Sequence, residues 1–600
     1  MMSSSSRCSS LSLALLVLSL LDLALAVPLP ASVPAPLLKS SKTFTSTRPK
    51  KGGIVLPFGR QRRREVKRQT KNGDVVGGEV GLGDSADLHP SFYTVAVTIG
   101  NSTTAVNLDT GSSDLWVMSQ DCQTSACQRS TAQPYDANTF KALGTTVSLK
   151  YGDSTSGTHA SGPVGTDTVT LAALTMQNQP LGAINDTDNS AVSNGGAGIL
   201  GLGFPGQSFV QAAAVNKVFN NPPNTDTFIS QIGTYGPIVS RLIEADMIDD
   251  PLFAITLQRD TIDVSGEGQI TIGQLPDEID ESNITWVPVR LYDTQEGGVS
   301  PPSFASNEKY PLRWEVPIDG VFLDGQKLAD STQAGAGLNK SEVSALIDTG
   351  NSLIRGPQDV VNNVLSKVST AYAANSNASP LLPCDQPHTL AYQIGGKMFP
   401  VDPRDFTSQH KKGDVTNCIA NNVVSTDAPS VGALFSWNLG DPFLKSNMVI
   451  FYYGNLTHPS VDPPRIGFVS LVPANASQIF QQAVDDAEQS GNFESKGDAA
   501  PTASNLITET GSSTSGSSTS TSTATAVQSS VANGAASSVT SNPSTSSPPT
   551  TIVTVTSSVA PAASSSAPAN AAAASLRVPN GVWSSVLLVA LSVLSSLCIL

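Results

Sequence analysis

The sequence predicts a mostly β protein made of two similar β lobes. Three observations carry that expectation. First, the stretch from about Phe92 to Leu471 is written in short β-branched and aromatic runs, such as FYTVAVTIG, TVSLKYG, TDTVTLAAL, GQITIGQL, ITWVPVRL, MVIFYYG and RIGFVSL, bounded by Gly, Pro, Asn or Asp. Runs of this kind between frequent turn signals are the mark of strands. Second, hydrophobic-Asp-Thr-Gly is written twice, in VNLDTGSSDLWV (Val106 to Val117) and in ALIDTGNSL (Ala345 to Leu353). Third, each copy is followed at the same distance by a hydrophobic-hydrophobic-Gly phrase. Gly201 of Ile199-Leu200-Gly201 lies 92 residues after Asp109, and Gly440 of Asn438-Leu439-Gly440 lies 92 after Asp348 (201 − 109 and 440 − 348). Two matched pairs of motifs at one spacing describe a duplicated unit, in which a pseudo-twofold axis brings equivalent aspartates together. Helical signal is sparse; the best stretch is GPQDVVNNVLSKVSTAY, residues 356–372, with apolar residues at three- and four-residue steps.

At 600 residues the chain exceeds one ordinary domain, and its ends differ in character from the middle. Residues 1–26 have the pattern of a signal peptide: Arg7, an apolar run from Leu11 to Leu25, and the small-x-small exit Ala24-Leu25-Ala26. Residues 27–68 read as a basic propeptide ending GRQRRREVKRQ, with dibasic sites that a processing protease of the secretory pathway cuts; the cleavage is placed at Arg68. Twelve of the 34 Lys and Arg lie at or before Arg68 but only two of the 49 Asp and Glu, leaving 22 basic against 47 acidic residues beyond it. A basic leader on an acidic body pairs with it electrostatically, and so acidic a body excludes nucleic acid as a partner. The two lobes are assigned to 69–285 and 286–474. Residues 475–570 are read as a Ser/Thr/Ala/Pro-rich stalk, too poor in large apolar residues to fold. Residues 571–600 are read as a lipid-anchor (GPI) signal whose hydrophobic tail, VWSSVLLVALSVLSSLCIL, is removed when the anchor attaches at Asn570. The implied location is the cell surface, plasma membrane or wall, with release outside the cell as a further fate.

Cysteine usage agrees with an oxidising compartment. Cys8 and Cys598 lie in the removable ends, leaving four, which allow three pairings. Local closure favours Cys122–Cys127 and Cys384–Cys418. Asn-x-Ser/Thr sequons stand at Asn101, Asn185, Asn283, Asn339, Asn377, Asn455 and Asn475, as a surface glycoprotein requires.

A single Asp-Thr-Gly is commonly just a turn. Two at equivalent places of a repeat carry chemistry, because carboxylates in contact cannot both ionise and so share a proton and titrate as a unit. One member takes a proton from a bound water while the other serves the substrate carbonyl. No covalent intermediate, metal or cofactor is needed. Competing chemistries lack their residues: His89, His159, His388, His410 and His458 have no metal-ligand spacing, and H-E-x-x-H, G-x-S-x-G and zinc-spaced cysteines are missing.

These residues resemble those of the pepsin-type (A1) aspartic endopeptidases, in the secreted or GPI-anchored fungal style of the yapsins. The resemblance covers about Phe92 to Leu471 and is most specific at LDTGSSDLWV, LIDTGNSL and GILGLGF. It implies the bilobal pepsin-like fold with an active-site cleft between the lobes, hydrolysis of extended polypeptides at acid pH, and synthesis as a zymogen; the chain is expected to be a monomer. It implies Asp109 and Asp348 as the catalytic pair, Thr110 and Thr349 interlocked beneath it, and Gly111, Ser112, Gly350 and Asn351 as its support, Ser112 by a hydrogen bond to the first carboxylate. LKYGDSTSG resembles the flap, a hairpin closing over substrate, with Tyr151 as its aromatic tip, Gly152 and Asp153 facing the peptide, and Trp116 receiving a hydrogen bond from the tyrosine hydroxyl. The two cysteine pairs match disulfides usual in the family.

Several positions depart from the family pattern. Asn351 stands where Thr or Ser is usual; an amide can still donate to the second Asp but differs in size and reach. Ala197 replaces the Asp before GILG, NSTTAV stands for Thr-Pro-Pro-Gln, and Arg313 precedes Trp314 where an aromatic is common. Extra loops are expected around Asn185 to Gly196, Gln207 to Tyr235 and Leu291 to Tyr310. The alternative, from another class, is a catalytically inactive surface glycoprotein that keeps the peptidase fold and binds peptides or ligands in its cleft.

Overall fold

A computed structural model describes residues 54–58, 78–80 and most of 92–493. The expectations at Arg68, Asp153, Asn339 and Asn570, and those for the two chain ends, lie outside the described residues.

The first lobe is built on β1 (Phe92–Ile99), β2 (Ser102–Asp109), β3 (Leu115–Met118), β4 (Lys141–Tyr151), β5 (Thr158–Leu171), β6 (Leu174–Ile184) and β7 (Gly198–Gly201), most of a nine-stranded sheet. Buried and more exposed positions alternate along much of β4 and β5, whereas β2, β3 and β7 are buried along nearly their whole length and so are covered on both faces. The strand that sets up the site is β7. It inserts between β2 and β3, parallel to β2 with Gly201 beside Asp109, and antiparallel to β3. The chain between β2 and β3 must therefore turn tightly at the end of the sheet, and Asp109 stands at the mouth of that turn.

Next come β8 (Leu252–Thr256), β9 (Gly268–Ile272) and β10 (Thr285–Pro288), the first-half contribution to a six-stranded sheet. The second lobe then repeats the arrangement of the first with β11 (Glu315–Pro317), β12 (Ser344–Ile347), β13 (Ile354–Gly356) and β14 (Trp437–Leu439). Here β14 lies between β12 and β13, parallel to β12 with Leu439 beside Ile347, and antiparallel to β13. The duplication read from the spacing is thus a duplication of topology.

Finally β15 (Asn447–Tyr452) and β16 (Arg465–Ser470) complete the shared sheet, whose order is Ile54–Phe58, β9, β8, β15, β16, β10. Ile54–Phe58 pairs antiparallel with β9 along its whole length. An aromatic cluster fastens the halves above this sheet: Phe204 and Trp314 have ring centroids 4.1 Å apart, and Phe253 stacks on Phe451 at 4.6 Å. The Leu202 carbonyl of the first half accepts hydrogen bonds from the Trp314 indole (2.9 Å) and the Tyr453 hydroxyl (2.6 Å) of the second.

The helices partly follow expectation. Residues 356–372 give Gln358–Val368, with Val360, Val361, Val364, Leu365 and Val368 buried, and a second turn at Thr370–Ala374. Two segments differ. Gln207 to Tyr235, expected as loop, folds into α1 (Phe209–Phe219), α2 (Thr225–Ser230) and a further short helix. The buried set of α1, Val210, Gln211, Ala213, Ala214 and Val215, covers more than one stripe, so no amphipathic period announces it. The Asp114 carboxylate, at the end of the first Asp-Thr-Gly turn, caps its start by accepting from Phe209 N (2.9 Å), Val210 N (3.1 Å) and Ser208 Oγ (2.6 Å). At the other end, α3 (Ala476–Ser490) occupies the beginning of the stretch expected as stalk and buries Phe480, Ala483, Val484 and Ala487. With Phe493 also buried, the folded body extends past residue 474. Among the described residues no helix is long and apolar enough to cross a membrane.

Candidate active site

Asp109 ends β2 and Asp348 follows β12, and both side chains are buried. Below them the two turns interlock. Thr110 Oγ1 donates to Ile347 O (2.8 Å) and accepts from Thr349 N (3.0 Å), while Thr349 Oγ1 donates to Leu108 O (3.0 Å) and accepts from Thr110 N (3.1 Å). Four buried bonds related by a pseudo-twofold axis fix the spacing of the carboxylates, and each satisfies a backbone group that burial would otherwise leave unpaired.

The glycines of the two turns are needed by approach. A Cβ on Gly111 would lie 2.6 Å from Asp348 Oδ1, and one on Gly350 would lie 2.3 Å from Asp109 Oδ1. Each lobe's Gly is therefore the floor against which the other lobe's carboxylate rests, and any side chain there would push the pair apart. Each carboxylate also accepts from the glycine N–H of its own turn, Gly111 N to Asp109 Oδ1 and Gly350 N to Asp348 Oδ1, both 2.8 Å. The Ser112 hydroxyl donates to Asp109 Oδ2.

Burial raises both carboxyls above the ordinary aspartate range, and the charge of Asp348 pushes Asp109 further the same way. On Asp348, hydrogen bonds from Asn438 and Gly350 and the positive charge of Arg355 act in the opposite sense. The two carboxyls bear on each other's protonation. Such a pair holds one proton and titrates as a unit.

Two Asp-Thr-Gly turns meeting this way across two lobes of one topology decide the kinship, and residues 92–458 match the eukaryotic aspartyl proteases. The chain belongs to that family. It is 27% identical over 376 residues to the embryonic pepsinogen of Gallus gallus, covering 61% of this chain and 79% of that one. It is 27% identical over 388 residues to an aspartic protease of Phaffia rhodozyma, covering 64% and 77%. The figures for the major aspartyl peptidase 1 of Cryptococcus neoformans are 24% over 432 residues, 70% and 75%. As a member of the family this chain is an aspartic-type endopeptidase, a hydrolase of peptide bonds.

Beside the pair of this aspartyl protease, β4 and β5 form an antiparallel hairpin, the segment expected as the flap, with Tyr151 paired to Thr158. Gly152 takes a positive φ of 78° as the chain leaves β4. The Tyr151–Trp116 hydrogen bond runs opposite to expectation. An indole nitrogen can only donate, so Trp116 Nε1 donates to the Tyr151 hydroxyl oxygen at 2.7 Å.

Asn351 also departs from expectation. Its amide does not reach Asp348; it donates to Leu353 O (2.7 Å) and to Asn438 Oδ1 (2.9 Å). The side-chain donor to Asp348 Oδ2 is Asn438 Nδ2, at 2.7 Å. Sequence reasoning passed over Asn438 as part of a hydrophobic-hydrophobic-Gly phrase. The signal was present: a polar amide where the first copy has Ile199.

The structure joins Cys122 to Cys127 and Cys384 to Cys418. Asn101, Asn185, Asn283, Asn377 and Asn475 are exposed, whereas Asn455 is half-buried and its Oδ1 accepts from Thr457 N, Thr457 Oγ1 and His458 N.

Proposed function

We propose that this endopeptidase works at acid pH on extended polypeptides laid across the interlobe cleft, using Asp109 and Asp348 to activate water. The observation that carries the reading is the reciprocal seating of each carboxylate on the other lobe's glycine, which keeps two buried carboxyls in contact. In the one-proton state the ionised member takes a proton from water as the water oxygen attacks the scissile carbonyl carbon, and the protonated member gives its proton to the carbonyl oxygen. Collapse of the resulting diol returns a proton to one carboxylate, the amide nitrogen takes a proton from the other, and the C–N bond breaks. An acid optimum follows because rising pH removes the shared proton.

The finer reading of the precursor is that signal 1–26 and propeptide 27–68 are removed, the latter by a dibasic processing protease at Arg68. Pairing of Ile54–Phe58 with β9 supports a propeptide seated on the body before cleavage. The lobes run over 69–285 and from 286 to at least Phe493, sharing one sheet, the second closing on α3. A stalk, and an anchor at Asn570, then hold a glycosylated monomer at the cell surface; the Ser/Thr composition and apolar tail support this part.

The test is peptide cleavage from pH 3 to 8 by the processed enzyme made from the full chain, with Asp348→Asn beside it. Acid-side activity that vanishes in the variant is expected. A folded, processed protein that cleaves nothing across that range overturns the reading in favour of a peptide-binding glycoprotein.

A further inference from the structure

The pseudo-twofold lets one half be compared with the other. Ser112 and Asn351 occupy equivalent places, three residues after Asp109 and Asp348 (112 − 109 and 351 − 348). Ile199 and Asn438 are equivalent too, 90 residues after the same aspartates (199 − 109 and 438 − 348). In the first half the hydroxyl at the near place donates to the carboxylate, and the residue at the far place is apolar. In the second half both places carry amides, and the far one donates to the carboxylate.

The direction of that second arrangement is imposed from outside. Arg355 Nε donates to Asn351 Oδ1 (3.1 Å), and a guanidinium has no acceptor, so the Asn351 oxygen must face it. The Leu353 N–H points at the same oxygen (3.4 Å). The Asn351 NH₂ is thereby turned to Leu353 O and Asn438 Oδ1, and the Asn438 NH₂ in turn to Asp348 Oδ2. Arginine, amide, amide and carboxylate form one polarised chain with a single consistent sense. The charged groups bearing on Asp348 are Asp109 from the facing turn and Arg355 from β13.

We propose that Asn438 is a positioning residue of the catalytic pair, its amide oriented through Asn351 by Arg355 so that it holds Asp348 as Ser112 holds Asp109. The inference rests on the reading of Asp109 and Asp348 as the catalytic pair. A donor to the carboxylate favours its ionised form, so removing it makes a higher pH necessary before the pair can lose its first proton.

The experiment measures kcat and KM on one extended peptide from pH 2.5 to 7 for the processed enzyme and its Asn438→Leu, Arg355→Gln and Asn438→Leu/Asn351→Thr variants. Asn438→Leu should lower kcat about tenfold with KM within about twofold, and move the acid limb of the kcat/KM profile up by about one pH unit. Arg355→Gln should move the limb the same way by less. In the double variant a threonine hydroxyl, placed as Ser112 is, should recover part of the lost kcat and bring the limb back toward its original position.

An Asn438→Leu enzyme with the wild-type unfolding midpoint and an unmoved profile overturns the proposal, as does a double variant no better than the single. If Asn438→Leu does not fold, an unmoved profile for Arg355→Gln overturns it equally. A wild type that cleaves nothing overturns the catalytic reading itself, and the inference with it.

Discussion

At the residue scale, the hairpin read as the flap is tied to β3 by a bond with only one possible donor. Trp116 is fully buried, and its indole N–H has the Tyr151 oxygen as its partner. Tyr151→Phe keeps the ring and removes the acceptor, leaving a buried donor unsatisfied at a cost of about 1–3 kcal/mol. On the reading of this hairpin as a flap, water serves that donor when the hairpin lifts, so the loss falls on the state in which it is closed. The expected outcome is a kcat/KM about tenfold lower, corresponding to ~1.4 kcal/mol, with little change in melting temperature; equal kinetics for the two proteins would show that the bond does not hold the flap. The same scale shows what the sequence could and could not announce. Asp109, Thr110, Asp348 and Thr349 were legible because repetition marks them. Asn438 was not, because a motif defined by apolarity hides a single polar member, and only the partners of Asp348 in space reveal that the amide replaces a hydroxyl.

At the element scale, legibility followed exposure. Residues 358–368 bury one stripe and show helical periodicity; α1 buries several faces and shows none. The helix α3 is a different case. Phe480, Ala483, Val484 and Ala487 stand at i, i+3, i+4 and i+7, an amphipathic pattern, but it lies just before a long Ser/Thr tract whose composition dominates the reading. Because Phe480 is fully buried in the main core, α3 is part of the body. Phe480→Ala should cost about 3–5 kcal/mol, seen as a lower denaturation midpoint in urea with KM unchanged, since α3 contributes no residue to the site. An unaltered midpoint would return α3 to the stalk. Ending the chain at residue 474 should lower stability for the same reason, so a body intended for study should run to at least Phe493.

At the scale of the whole molecule, buried carboxyls and surface charge push stability in one direction. Burial raises Asp114 from 3.8 to about 6, against the donors at the start of α1, and raises Asp109 and Asp348 as well. A carboxyl whose folded pKa lies above its unfolded value holds its proton longer in the folded chain. Its contribution is full below the unfolded value and is lost as pH rises through the folded one. For Asp114 that window runs from about pH 4 to about pH 6, and the contribution lost is on the order of 3 kcal/mol. Hydrogen bonds from Ser303 and Ser282 hold Asp226 and Asp280 below the ordinary range and act oppositely, but these groups are at the surface, where water screens them. Beyond Arg68 the chain carries 47 acidic against 22 basic residues, so ionisation over the same window adds self-repulsion. The melting temperature of the processed enzyme should therefore be highest near pH 4 and fall steadily toward pH 7. Raising the salt at pH 7 shortens the range of surface repulsion and should restore only part of the loss, because buried carboxyls are screened far less. A melting temperature that climbs from pH 4 to 7 would mean that the buried carboxyls are ionised in the folded chain, and would remove the basis for an acid optimum along with it. Full recovery by salt would instead assign the whole effect to the surface, leaving Asp114 as an ordinary ionised helix cap.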